Sequence, residues 1–364
     1  MPYKHIEISM GPQHPSTHGV LQLKVTADNE VVLNVEPVIG YLHRGMEKLW
    51  EHRTYPQIVP LTDRLDYLGA ILNNLAYVLA VEKLAGIEVP KRAQYIRVIL
   101  AELQRVASHL AWIGFNANDI GAMSVLLYGF IEREGLLDLF EEYCGARLTV
   151  HGLRIGGVPH DLTPKVCELI RGVVTSVPRR LADIEALLSE NRIWKHRTVG
   201  IGRIAPAEAI QYGLTGPALR AAGVRWDIRK NIPYSSYEDF DFDVPLGTHS
   251  DVYDRYLVRM AEMRQSLRII TQALDRLPAG EVRAKVPRLL KIPPGEVFLS
   301  VEAAKGELGF YIKSNGTDKP ERVKMKAPSF INMQCFEKMC QGHLIADLVA
   351  ILGSLDIVLG EIDK

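Results

Sequence analysis

Apolar and polar positions alternate at period two through Val20–Thr26 and Val31–Val35, on either side of an Asp28-Asn29 turn. That is the pattern of half-buried strands in a hairpin. His5–Ser9 reads as a third strand, so residues 3–37 are expected to form a small antiparallel sheet. After Gly40 the run YLHRGMEKLWEHRTY turns charged and aromatic and predicts one short helix.

From residue 62 the period changes. Leu65, Leu68, Ile71, Leu72, Leu75, Val78, Leu79 and Leu84 recur at three and four. They predict a helix capped by Thr62 or Asp63 and ended by Gly86, with Asp66-Tyr67 one turn inside it. A second helix starts at Pro90 and runs to about Gly114, and a third spans about Asp119–Cys144 and stops at Gly145. A fourth opens at Thr163-Pro164 and is expected to bend or break at Pro178. Residues 195–250, rich in Gly, Pro and aromatic–acidic pairs, carry no readable period. A fifth long helix is predicted over about Asp251–Leu277. Strands follow over Gly306–Ser314 and Arg322–Ala327 around Asn315-Gly316, then a last helix over about Phe336–Ser354.

Stripes this regular are core faces and not cofactor boxes. The fold class is therefore α+β and mainly helical: a central bundle of long helices with a small N-terminal antiparallel sheet and a C-terminal strand region. Three regions follow, 1–40, 41–290 with the irregular 195–250 insert, and 291–364, and the lack of a low-complexity linker predicts one integrated domain.

Composition narrows the setting. With 364 residues, 47% of them hydrophobic, the chain can bury a large core. Its 43 basic and 43 acidic side chains cancel. A zero balance leaves no electrostatic footprint for nucleic acid, and it protects poorly against association, which suits life inside a complex. Cysteines 144, 167, 335 and 340 form no CxxC pair and are expected to be reduced, mostly buried thiols of a cytosolic protein. Met1–Met10 carries Lys4, His5 and Glu7 and reads as no signal peptide. The most apolar stretch, Leu344–Gly360, is interrupted by Asp347 and Asp356, so no bilayer span is expected.

The densest candidate chemistry is Gly11–Gly19, GPQHPSTHG, which joins the first two strands and carries His14 and His18 on a proline–glycine turn. Gly200-Ile-Gly202-Arg-Ile-Ala205 matches the G-x-G-x-x-A dinucleotide fingerprint, with Asp227 at a suitable distance. That mechanism needs an apolar strand before it and an uninterrupted helix after it, and KHRT before with Pro206 and Gly213 after deny both. Tyr67, by default a half-buried core tyrosine, and Asp119, by default a carboxylate favouring a helix N-terminus, are polar residues near apolar helix ends. His, Tyr and Asp together can hydrogen-bond and protonate a carbonyl-bearing ligand.

The motifs GPQHPSTHG, EPVIGYLHRGMEK, IEREGLLDLF, RIGGVPHDL, AAGVRWDIRK, KGELGFY and APSFINMQ closely resemble the family of D subunits of proton-pumping NADH:quinone oxidoreductase, respiratory complex I. This family is related to the large subunit of nickel–iron hydrogenases. The resemblance runs from about residue 8 to the C-terminus. It implies a hydrogenase large-subunit-like fold and a peripheral-arm subunit with no tightly bound cofactor of its own. Such a subunit forms the quinone-headgroup site facing an iron–sulfur cluster on the neighbouring B subunit, where quinone reduction drives proton translocation. It further implies His18 and Tyr67 as headgroup contacts, Asp119 as the acid partnering the histidine, and Arg64 near the partner's cluster. The C subunit and the membrane-arm H subunit are the other implied partners, at the cytoplasmic face of the cell membrane.

Hydrogenases hold nickel with an early cysteine pair and a C-terminal D-P-C-x-x-C. Here Val358 and Glu361 stand at the two late thiolate positions and Arg53–Asp66 contains no cysteine, so the soft ligands nickel needs are missing. The chain also departs from many members in carrying Thr149 where they have a histidine, with His151 two places on, and in a short segment between Val282 and Gly295. The competing reading is a scaffold subunit of a related ferredoxin-driven or hydrogenase-like membrane-bound oxidoreductase, without redox chemistry of its own.

Overall fold

The computed structural model describes residues 5–13 and 19–364. Strands β1 (Ile6–Met10), β2 (Gln22–Asp28) and β3 (Val31–Val38) form the expected antiparallel sheet in that order, with Val25 opposite Val35 and Asn29 left-handed in the turn. Leu21, Leu23, Val25 and Ala27 alternate inward, so the period-two signal is the buried face of the sheet. His14 and His18 lie outside the described residues, in the segment that joins β1 to β2.

Short helices α1 (Met46–Trp50) and α2 (Tyr55–Thr62) lead into the bundle of α3 (Ala70–Ala85), α4 (Lys91–Asp119), α5 (Met123–Cys144) and α6 (Pro164–Leu188). Four expectations are corrected here. Asp66-Tyr67 do not lie inside a helix; Thr62 and Asp63 close α2, and residues 63–69 form a turn before α3. The turn is held by tertiary and local polar bonds: the Leu68 amide donates to Asp66 Oδ1 (3.1 Å) and Asn73 Nδ2 to the Gly69 carbonyl (3.2 Å). Asp119 is the last residue of α4 rather than the start of the next helix, at the negative end of the helix dipole, so its expected stabilising role at an N-terminus is lost. Gly114 fails to stop α4 because it is a packing glycine: a Cβ there would stand 3.3 Å from Leu126 Cα on α5. Finally, α6 does not break at Pro178, although the proline removes one backbone donor. The buried stripe Val166, Ile170, Val173, Val177, Leu181, Ile184 and Leu188 keeps the helix seated on both sides of it.

The unreadable 195–250 stretch contains α7 (Arg192–Thr198), α8 (Pro206–Gln211), α9 (Gly216–Ala221) and α10 (Ile228–Asn231). Buried ion pairs order it. Arg220 Nη1 donates to Glu302 (2.7 Å) and its Nε to Glu262 (2.7 Å), while Arg229 joins Asp227 (2.6 Å) and Glu102 (3.1 Å). Asp227 is thus committed to guanidinium groups, and a helix rather than a strand precedes Gly200, so the dinucleotide fingerprint has neither its strand nor its ribose acid.

The long helix α11 (Val252–Asp275), N-capped by Asp251, packs along α4. A second antiparallel sheet, β4 (Gly295–Ala303), β5 (Gly306–Ser314) and β6 (Pro320–Lys326), lies on α3, with Phe310 edge-on to Tyr77. The predicted last helix is instead α12 (Pro328–Asn332), α13 (Phe336–Cys340), α14 (Asp347–Leu355) and α15 (Leu359–Ile362). Gly342, at φ +79°, breaks the run, and the Gly342 amide bonds to Val32 of the N-terminal sheet (2.9 Å). Cys335 and Cys340 are buried, Cys144 and Cys167 half-buried, and all four are unpaired thiols.

Candidate functional site

A cavity of about 450 Å³ opens where the 63–69 turn, the end of α4, the middle of α5 and the α14–α15 junction meet. Tyr67 and Asp119 both line it, so two residues 52 positions apart in sequence share one pocket. The walls are apolar and aromatic: Trp112, Phe115, Phe130 and Leu148, with Ile357 and Val358 at one end. Phe115 and Phe130 meet edge to face at 5.3 Å between centroids, and Trp112 is fixed by its indole N–H donating to the Gly353 carbonyl (2.7 Å).

The approach of α4 and α5 that makes this wall depends on two glycines. A Cβ on Gly129 would come within 2.8 Å of the Leu110 carbonyl oxygen, and Gly114 faces Leu126 and Phe130 across the same contact. Phe130 and Arg133 follow Gly129 by one and four positions on α5, and both line the cavity.

Tyr67 stands at the mouth, 42% exposed. Partial burial raises its phenol above the ordinary value, and the neighbouring Asp66 charge raises it further while Lys305 opposes both. The hydroxyl therefore stays protonated at neutral pH and is a donor.

Beneath the mouth lies a charged cluster that sequence reasoning missed. Lys305 is wholly buried, with Nζ 3.1 Å from Asp66 Oδ2, 3.7 Å from Asp356 Oδ2 and 3.3 Å from Ser108 Oγ. Asp356 lines the cavity and ends α14 in the left-handed region (φ 56°). Glu361, also buried, accepts from the Ser329 amide (2.9 Å), and burial together with Asp66 pushes its carboxyl up to about 7. Two signals were available. Asp356 interrupts an apolar run, and Lys305 opens KGELGFY, a lysine inside a segment that otherwise reads as buried strand.

Arg64 does not line the cavity. It is exposed on the outer side of the same turn, bonded to Asp63 (2.6 Å) and the Pro60 carbonyl, while its own carbonyl accepts from Arg44 (2.9 Å). Burial drives the Asp63 carboxyl up to about 7 against the pull of Arg64. His151 Nδ1 lies 3.0 Å from Asp63 Oδ2, and burial plus the charges of Arg154 and Arg64 lower its imidazole. Thr149 sits at φ 52° in the loop leading to it. Among the described residues no group of three or more His, Cys, Asp or Glu is arranged to hold a metal, and no helix is long and apolar enough to cross a membrane.

Comparison with known proteins places the chain in a family. The family model described as the respiratory-chain NADH dehydrogenase 49 kDa subunit matches residues 119–291 and 285–364. The D subunit of the NADH-quinone oxidoreductase of Geotalea uraniireducens is 53% identical over 382 aligned residues, covering 98% of each chain. The corresponding D subunit of Geobacter sulfurreducens is 51% identical and that of a Dehalococcoides mccartyi strain 52% identical, each again over 98% of both chains. The chain belongs to this family, the 49 kDa or D subunits of respiratory complex I.

Proposed function

We propose that the cavity between the 63–69 turn, α4 and α5 is the quinone-headgroup site of a complex I peripheral-arm subunit. The observation that carries the reading is the meeting of Tyr67 and Asp119 in one aromatic-walled cavity. A quinone is a flat ring with two carbonyl oxygens, and this cavity offers flat apolar walls with a few convergent polar groups. His18, in the segment between β1 and β2, is the proposed second headgroup donor, with Asp119 as the acid that favours its imidazolium.

Reducing a quinone takes two electrons and two protons, and negative charge builds on the carbonyl oxygens. In this reading electrons come from an iron–sulfur cluster on the neighbouring B subunit, near Arg64. The chain's own part is to bind the ring between Trp112, Phe115 and Phe130 and to aim the Tyr67 hydroxyl at one oxygen, where a positioned donor offsets the developing charge. Proton uptake here would bias the conformational change that drives proton translocation, making the assembled complex a translocase. The exposed apolar stripe Met123, Leu127 and Ile131 on α5, beside the cavity, suits burial against other members of the complex, for which the B, C and H subunits are proposed. The chain would then act as a peripheral protein on the cytoplasmic face of the membrane.

The test is Tyr67→Phe in the assembled complex. Only a hydroxyl is lost, so fold and assembly should persist while KM for short-tailed quinones rises severalfold, the worth of one hydrogen bond at ~0.5–1.5 kcal/mol. His18→Met should depress turnover more than assembly. Normal quinone kinetics in both variants would leave the chain a scaffold.

A further inference from the structure

Arg133 lies in the middle of α5 and lines the cavity, yet only 7% of it is exposed. Among the described residues it makes no hydrogen bond or ion pair, and its Nε is buried with no partner. The adjacent Glu134 makes no hydrogen bond or ion pair with it, being bound by Arg147, which also holds Asp138 and Glu141. The guanidinium lies over the face of Phe130, 5.7 Å from ring centroid to Cζ. Burial lowers its affinity for its proton; the charge of Glu134 opposes this and that of Arg147 adds to it.

A guanidinium has five donors in a planar fork and stays charged in proteins. Leaving one nine-tenths buried beside an aromatic wall without an acceptor is costly, since buried charges are normally paired. Every other arginine that is fully buried here bonds within the chain: Arg97 to Glu82, Arg105 to Glu102, Arg220 to Glu262, Arg229 to Asp227, Arg255 to Ser354 and Arg259 to the Arg255 carbonyl. Among the described residues Arg133, nearly as buried, is the exception, and it lines the cavity. A cost of this kind, retained at a concave site, points to a group supplied by a ligand.

We propose that Arg133 is a ligand-binding residue of this cavity, its guanidinium donating hydrogen bonds to a ring oxygen of the bound quinone that gains negative charge on reduction. The proposal rests on the quinone reading above and adds a fixed positive donor on the α5 wall of the cavity that Tyr67 also lines. Arg133 gives hydrogen bonds and no proton, so the protons of the reaction still come from other groups. The same geometry explains why the donor is an arginine: a planar fork can meet an oxygen beside the Phe130 ring while stacking on its face.

The experiment uses the assembled complex carrying Arg133→Gln, Arg133→Lys or Tyr67→Phe, with a short-chain quinone as the titrated probe. Since Arg133 makes no hydrogen bond or ion pair among the described residues, R133Q should assemble in parental amounts. Hydrogen bonds to a charged group are worth enough for KM to rise about tenfold or more. R133K, which keeps the charge without the fork, should fall between R133Q and the parent. Parental KM in R133Q with raised KM in Y67F overturns the role of Arg133 and leaves the quinone site standing. Parental KM in both overturns the site itself. Loss of assembly in R133Q also overturns the proposal, because it would show that the guanidinium pairs with an acid of a neighbouring subunit.

Discussion

Lys305 Nζ lies 3.1 Å from Asp66 Oδ2, and both side chains are almost entirely shut off from solvent. The lysine sits in the turn of the β4–β5 hairpin and the aspartate in the turn before α3, so the pair ties the C-terminal sheet to the turn that presents Tyr67. Asp356 and Glu361 complete a set of three carboxylates acting on one ammonium. Lys305→Met would strand those carboxylates without a cation, and breaking a buried pair from one side costs ~3–5 kcal/mol. The expected outcome is a marked loss of assembled complex and of its thermal stability. Asp66→Asn in the same chain should recover part of the loss, because the two residues share one interaction. A stable K305M complex would mean that the cluster is screened by groups other than these.

Glu361 gives this cluster a pH signature. Its carboxyl titrates at about 7 in the folded chain against an ordinary 4.5, so the protonated form is the one the fold prefers. A raised carboxyl contributes stability that is full below about 4.5 and is lost as pH climbs through about 7. Glu361→Gln keeps the shape without the ionisation, so it should flatten the stability profile between these values and raise stability above neutral pH. Denaturation followed from pH 5 to pH 8 checks this; parallel profiles for parent and variant would sink it.

In the proposed quinone site, Asp119→Asn removes a negative charge that favours the His18 imidazolium. The histidine would then lose its proton at lower pH, and the alkaline limb of the rate profile should move down. An unchanged limb would separate Asp119 from His18.

Where the chain's own periodicity carries the structure, the sequence was readable. Strand Gly306–Ser314 has the bounds its pattern predicts, and the α11 stripe of Tyr256, Met260, Met263 and Ile270 is buried as expected. Reading failed where long-range polar bonds decide. Leu65 and Leu68 continue the helical period through the 63–69 turn, yet Asp66 turns toward Lys305, 239 positions away. Arg220, Asp227 and Arg229 order a stretch with no period through partners on α4, α11 and β4. Of the candidate site, Tyr67 and Asp119 were accessible through family motifs. Arg133 was hidden between Glu132 and Glu134 as one more charge on a surface-looking helix.

Gly129 and Gly135 lie on the same helix and should respond in opposite ways. A Cβ at Gly129 would meet the Leu110 carbonyl oxygen at 2.8 Å, a backbone atom of α4 that cannot swing away, whereas nothing lies within 4 Å of one at Gly135. Gly135→Ala should therefore be neutral or stabilising by up to ~1 kcal/mol, the ordinary gain of replacing an exposed helical glycine. Gly129→Ala gains the same helix propensity but must push α4 and α5 apart, and overpacking of this kind costs ~1–3 kcal/mol. The displaced surface is the one bearing Phe130 and Arg133, so G129A should weaken ligand binding in the cavity as well as stability. G135A should leave binding alone. Thermal unfolding and quinone KM measured side by side on the two complexes test the pair. Equal behaviour would show that the α4–α5 contact yields more readily than a backbone oxygen at 2.8 Å allows.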